Sequence, residues 1–120
     1  MPTRYVAIVD DDSAVRGSLD SLLRSAGLKG LIFSDGDALL CCADKERIAC
    51  IVTDLHMPDM TGLELQSELA RQGWQQPVIV MTAFPTDAAC AQALRAGAHA
   101  FLTKPIDPDQ LLEAIEQAIA

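Results

Sequence analysis

The sequence is short of positive charge. Nine lysines and arginines face 17 aspartates and glutamates, which leaves a formal net charge of −8 at pH 7. A surface of that sign repels polyanions, so neither direct contact with nucleic acid nor adsorption to an anionic membrane is expected. No apolar stretch approaches the roughly 20 residues that a spanning helix requires, and Met1-Pro2-Thr3-Arg4-Tyr5 runs straight into a strand-like segment. A cytoplasmic protein is expected. The four cysteines (Cys41, Cys42, Cys50, Cys90) and two histidines (His56, His99) have no zinc-site spacing. Three of the cysteines lie inside apolar patterns, which predicts buried free thiols in a reducing compartment. With no internal repeat and no linker, the 120 residues read as one domain, large enough to bury a core without staples.

The organising stretch is Cys50-Ile51-Val52-Thr53-Asp54-Leu55-His56-Met57-Pro58-Asp59-Met60-Thr61-Gly62. A short, β-branched apolar run ended by a turn signal predicts a buried parallel strand with Asp54 at its carboxyl end. A carboxylate there is costly unless paired or bound to a cation.

The rest of the chain supplies partners in order. Tyr5-Val6-Ala7-Ile8-Val9 is a first strand ended by Asp10-Asp11-Asp12-Ser13, where Asp12 or Ser13 can cap a helix. That helix carries Val15, Leu19, Leu22, Leu23 and Ala26 on one face, with Arg16, Asp20 and Arg24 away from it, and Gly27 suits its left-handed end. Residues 28–33 form a second strand, weakened by Lys29 and Gly30 and so placed at an edge. After the turn and cap at residues 34–37, a short helix is expected over 38–43, then a polar loop, Asp44-Lys45-Glu46-Arg47. The central strand spans 48–53. A third helix opens at Thr61 or Gly62, turns Leu65 and Leu69 inward and ends near Gln72-Gly73. Residues 77–81 form a fourth strand that stops at Thr82-Ala83.

The fourth helix, about 86–96 and closed by Gly97, is mostly alanine with Leu94 as its one large aliphatic anchor. Small side chains bury little area, so this helix is expected to be among the most mobile elements. A fifth strand, 100–103, ends at Lys104-Pro105. Asp107-Pro108 then starts a last helix striped by Leu111, Leu112, Ile115, Ala118 and Ile119. Five strand-helix repeats with short connections predict an α/β fold: a parallel sheet with right-handed crossovers and helices on both faces. The sheet order is expected to be the flavodoxin-like 2-1-3-4-5, a (βα)5 three-layer sandwich whose switch point lies between the first and third strands. Asp10, Asp11 and Asp54 leave those two strands side by side.

Three carboxylates converging on one crevice raise one another's pKa unless a cation joins them. An open site with few protein ligands, all oxygen, suits Mg²⁺. Asp54, with one oxygen on the metal, can use the other as nucleophile toward a phosphoryl group, giving an aspartyl phosphate. The Thr82 hydroxyl, the Lys104 ammonium and a backbone N–H near Ala83 arrive on the same edge. Such groups are what phosphoryl transfer needs, since its catalysis is mostly positioning and charge neutralisation.

Asp10-Asp11 after the first strand, Asp54-Leu55-His56-Met57-Pro58-Asp59-Met60-Thr61-Gly62, Thr82-Ala83 and Lys104-Pro105 together resemble the receiver domain of two-component response regulators. The stretch from Val52 to Gly62 is most similar to the FixJ-like branch, whose receivers usually precede a helix-turn-helix output domain. The resemblance covers the whole chain. It implies that Asp54 is the phospho-acceptor for a sensor histidine kinase, Asp11 a direct Mg²⁺ ligand, Asp10 a ligand through water, and the His56 backbone carbonyl a further ligand. The His56 side chain itself suits Mg²⁺ poorly. By the same resemblance Thr82 and Lys104 hold the phosphoryl oxygens, Phe101 is the aromatic whose rotamer couples to Thr82, and the Lys104-Pro105 bond is cis. The face of the fourth helix, fifth strand and last helix is then expected to change partner, forming a homodimer and controlling a transcriptional output. Such a chain is a switch that catalyses only its own phosphorylation and dephosphorylation.

Two features depart from the simplest pattern. Phe84, two residues past Thr82, sets an aromatic beside His56 where it would narrow water access to an acyl phosphate. The chain ends at Ala120, directly after the last predicted helix, which leaves a stand-alone receiver or one module of a larger protein. Two other functions fit parts of the pattern. An aspartate-nucleophile phosphatase would also attack with an Asp after a parallel strand, but with a second Asp two residues on, where this chain has His56. A receiver that had lost phosphorylation would serve as an interaction module only, a reading that the complete Asp, Thr and Lys set opposes.

Overall fold

Alternation along Tyr5–Val9 (β1) decides the layering. Ala7 and Val9 point to one apolar cluster and Val6 and Ile8 to a second on the opposite side of the sheet. The structure is a computed structural model that describes residues 5–43 and 45–119, so the expectations placed on residues 1–4, Asp44 and Ala120 lie outside the described residues. Five parallel strands, β1, Lys29–Phe33 (β2), Ile48–Asp54 (β3), Val78–Thr82 (β4) and Ala100–Thr103 (β5), are ordered β2-β1-β3-β4-β5. The edge position predicted for the second strand is where β2 lies, paired among the described residues with β1 alone.

Helices Ser13–Ser25 (α1) and Pro108–Ile119 (α5) cover one face through Leu19, Leu23, Leu111 and Ile115. Gly36–Leu40 (α2), Gly62–Arg71 (α3) and Asp87–Arg95 (α4) cover the other through Leu39, Leu65, Leu69 and Ala93. This is the three-layer sandwich expected from the alternating pattern.

Local signals explain the helix ends. The Asp12 carboxylate accepts from the backbone N–H groups of Ala14 and Val15, and Thr61 and Glu64 form a reciprocal capping box. Gly27, Gly73 and Gly97 close α1, α3 and α4 with positive φ, a conformation that a Cβ disfavours. The Lys104-Pro105 peptide is cis.

Four local expectations need correction. The second helix begins earlier and ends sooner than predicted, because the Asp35 side chain caps it at Ala38 and Cys41 closes it by donating to the Asp37 carbonyl. Ala26 caps the exposed end of α1 instead of joining its apolar face. Leu94 does not anchor α4: it is 48% exposed, and its neighbour Ala93, one helical step round, is the buried contact. Among the cysteines, all free, only Cys50 is fully buried; Cys41 is exposed and Cys42 and Cys90 are half-buried. Burial pushes the Cys50 thiol up to about 12, against a backbone hydrogen bond at Ile51 that lowers it, so this thiol stays protonated and inert.

Candidate functional site

The site sits at the carboxyl ends of β1, β3, β4 and β5. Register brings it together. Val9 pairs with Thr53, so the next residues, Asp10 and Asp54, emerge side by side, while Asp54 pairs with Met81 and Thr82 with Thr103, which sets Lys104 one step beyond. The backbone holds these ends closely: Asp10 N–H donates to Phe33 O at 3.2 Å, Leu55 N–H to Met81 O at 2.8 Å and Lys104 N–H to Thr82 O at 2.7 Å.

Asp10 is fully buried and both its carboxylate oxygens are used. Oδ1 accepts from the Asp12 N–H at 2.9 Å and Oδ2 from Lys104 Nζ at 2.8 Å. Lys104 Nζ also lies 3.5 Å from Asp54 Oδ2. One oxygen each from Asp10, Asp11 and Asp54 falls within 4.8 Å of the others. Asp54 is 6% exposed, whereas Asp11 is open to solvent.

The electrostatics follow from burial. Loss of water raises the Asp54 carboxyl above its ordinary pKa and the Asp10 charge adds to this, while Lys104 and the His56 backbone pull it down. Burial lowers the Lys104 ammonium, but hydrogen bonding and attraction from Asp10, with attraction from Asp54, outweigh that, so it titrates above an ordinary lysine. One cation therefore serves two buried carboxylates. An all-oxygen donor set with one exposed member and excess negative charge fits a hard divalent ion such as Mg²⁺.

The other predicted residues take the following positions. Thr82 is buried and its hydroxyl accepts from the Phe84 N–H at 3.0 Å. Phe101 pairs in register with Val80 and packs, half-buried, against the cluster on the α4 side. Thr82 follows Val80 by two residues, so its side chain leaves the same face of the sheet. The His56 side chain is exposed and meets the Phe84 ring edge-on, with centroids 5.9 Å apart, and Phe84 is 73% exposed.

Two residues escaped the sequence reading. Arg16, assigned to the outer side of α1, folds back so that Nη1 donates to the Asp10 carbonyl at 2.7 Å; nothing in helical spacing marks so long a side chain for that reach. Gln66 is 4% exposed and donates to the Ala93 carbonyl on α4. Its signal was present, since it lies four residues after Gly62 and three before Leu69, inside the apolar stripe of α3.

The family described as "Response regulator receiver domain" matches residues 6–116. The response regulator protein TmoT of Ectopseudomonas mendocina is 40% identical over 114 residues, covering 95% of this chain and 52% of the relative. The transcriptional regulatory protein FixJ of Bradyrhizobium diazoefficiens is 36% identical over 115 residues, 96% of this chain and 56% of the relative. The chain thus spans about half the length of these relatives. Among solved structures, the crystal structure of FixJ-N superposes with a TM-score of 0.89 at 36% identity, covering 99% of this chain and 95% of that one. The response regulator StyR gives 0.90 at 38% identity, covering 98% and 59%.

Proposed function

Because the chain belongs to the response regulator receiver domain family, we propose that it is a phosphorylation-dependent switch in which Asp54 takes a phosphoryl group from the phosphohistidine of a sensor kinase. The observation that carries this reading is the convergence of Asp54 with Asp10, Asp11 and Lys104 at one sheet edge. An Asp54 carboxylate oxygen forms the new O–P bond. The histidine N–P bond breaks, and its electron pair returns to the imidazole nitrogen, which takes up a proton from solvent. Asp10, Asp11, Asp54 and the His56 carbonyl would hold Mg²⁺, which when bound supplies charge neutralisation for the phosphoryl oxygens. Lys104, already within 3.5 Å of Asp54, pairs with one phosphoryl oxygen, and the Thr82 hydroxyl turns from the Phe84 N–H toward another.

Drawing Thr82 inward frees space on the α4 side, which Phe101 enters by changing rotamer. The α4-β5-α5 face then binds a different partner, a second copy of the domain being expected, and passes the signal to a transcriptional output. As in any ligand-driven shift, this requires the phosphorylated state to favour the new partner. On this reading the domain works in the cytoplasm, makes no direct contact with nucleic acid or membrane, and catalyses only its own phosphorylation and dephosphorylation.

Incubation with Mg²⁺ and acetyl phosphate, followed by intact-mass measurement, tests the proposal. A lasting adduct of one phosphoryl group is expected. Turnover of acetyl phosphate without an adduct would replace the switch by a phosphatase, and silence would leave an interaction module.

A further inference from the structure

The hold on α4 is thin. Ala93 is its one fully buried residue, and the helix exposes Leu94. Among the described residues, a single side chain from another element supplements that contact by hydrogen bonding: Gln66 Nε2 on α3 donates to the Ala93 carbonyl at 3.1 Å, across 27 residues of sequence. The same carbonyl accepts the Ala98 N–H at 3.0 Å, and Gly97 N–H donates to Leu94 O at 3.0 Å, so Gln66 grips the turn that closes α4. Gln66 Oε1 is buried and, among the described residues, has no hydrogen-bond partner.

One turn before Gln66, the start of α3 is seated on the acceptor peptide. Gly62 N–H donates to the Leu55 carbonyl at 2.8 Å. The approach is so close that a Cβ at Gly62 would lie 2.7 Å from the Asp54 carbonyl oxygen and 3.0 Å from the Leu55 Cα. One rigid helix therefore presses on the backbone of Asp54 at its first turn and holds α4 at its second.

We propose that Gln66 is a positioning residue of the switch: its carboxamide pins the closing turn of α4 to α3 and sets how readily α4 moves when Asp54 is modified. The inference rests on the switch reading and adds its regulation. An apolar side chain of similar size would fill the same space without burying an unpaired acceptor, and the Ala93 carbonyl would keep the Ala98 N–H, so no buried group loses its last partner and little overall stability is lost. What the carboxamide supplies is a fixed place for α4, and the unpaired Oε1 favours any displacement that brings it a donor.

Native-state amide exchange tests this with Gln66→Leu and Gln66→Met, first in the resting protein and then, beside wild type, with beryllofluoride and Mg²⁺. The amides of Ala96, Gly97 and Ala98 should exchange roughly two- to tenfold faster in both variants, the loss of one net hydrogen bond. The urea midpoint of the whole domain should change little. A merely structural glutamine would lower local and global protection together, and that result, or unchanged exchange at residues 96–98, overturns the assignment. Gln66→Met keeps an unbranched side chain, so agreement between the two variants ties the effect to the carboxamide rather than to shape. A wild type that fails to respond to beryllofluoride would overturn the switch reading and the regulatory role with it, whereas unchanged exchange overturns the role of Gln66 alone.

Discussion

Replacing Asp54 by asparagine should remove phosphorylation and leave the fold at least as stable as before. The ionised carboxylate is attracted to Lys104 at 3.5 Å, worth about 5 kcal/mol at an effective dielectric constant of ~20, and repelled by Asp10 at no more than 4.8 Å, at least about 3.5 kcal/mol on the same scale. These nearly cancel. Burial of the charge, the largest influence on this carboxyl, then decides the sign, and Asp11 adds a repulsion that water screens. Lys104 keeps its closer partner, Asp10 at 2.8 Å, in the mutant. A gain of about 1 kcal/mol is expected at pH 7 without metal, which moves a urea midpoint up by roughly 0.5–1 M. The pH dependence carries the sign. A carboxyl whose folded pKa is raised binds its proton more tightly in the folded state, so wild-type stability falls as pH rises from the ordinary aspartate value through the raised one. The carboxamide of the Asp54→Asn variant does not titrate, so the gap between the two proteins should open over that window and vanish below it. A mutant weaker than wild type at pH 7, or a gap that widens toward acid, would mean that Asp54 holds the structure together and would refute this account of the crevice.

Mg²⁺ at ten times its dissociation constant should add about 1.4 kcal/mol to wild-type stability, and Asp11→Asn should largely abolish that gain in thermal melts. Lys104→Met leaves Asp10, fully buried, and Asp54 without their shared cation; a loss of about 2–4 kcal/mol is expected at neutral pH, with Mg²⁺ recovering part of it in the same melts. Phe84→Ala opens the aromatic pair with His56 and should shorten the lifetime of the acyl phosphate roughly two- to tenfold, followed by the decay of the adduct mass after acetyl phosphate is removed.

The positions of Asp10, Asp54, Thr82 and Lys104 were legible because each follows an apolar run, and a run that stops at a polar residue in an alternating α/β pattern marks the sheet edge where the strands end. The contact of Lys104 with Asp10, 94 residues apart, was legible only in part: the order 2-1-3-4-5 sets both at the carboxyl ends of their strands but with β3 and β4 between them, and the long lysine side chain spans that gap. The start of the third helix at Thr61 or Gly62 was likewise legible, and the structure adds the capping box with Glu64 that fixes it. What failed has a common physical cause. In α4 alanines occupy every side of the helix, so periodicity does not set its rotation, and Leu94, the largest apolar side chain, was placed inward when Ala93 takes that position. Arg16 lies off the apolar cluster as its spacing implied, but its reach to the Asp10 carbonyl was not legible, because helical spacing locates its Cα and not the guanidinium at the end of a long stem. Gln66 was overlooked because the apolar pattern was read for its leucines, although a polar residue within that stripe is the signal of a buried hydrogen bond.

The central claim, that a phosphoryl group on Asp54 changes the α4-β5-α5 face, is tested most directly by amide chemical shifts with and without beryllofluoride and Mg²⁺, in wild type and in Phe101→Ala, with light scattering on the same samples. In wild type the shifts should spread from the loops after Asp10, Asp54 and Thr82 through residues 86–105, with an increase in mass toward a dimer, and Phe101→Ala should keep the loop changes while losing most of the rest. Shifts that stay within those loops in the wild type, and never reach residues 86–105, would contradict the account and place the output face elsewhere.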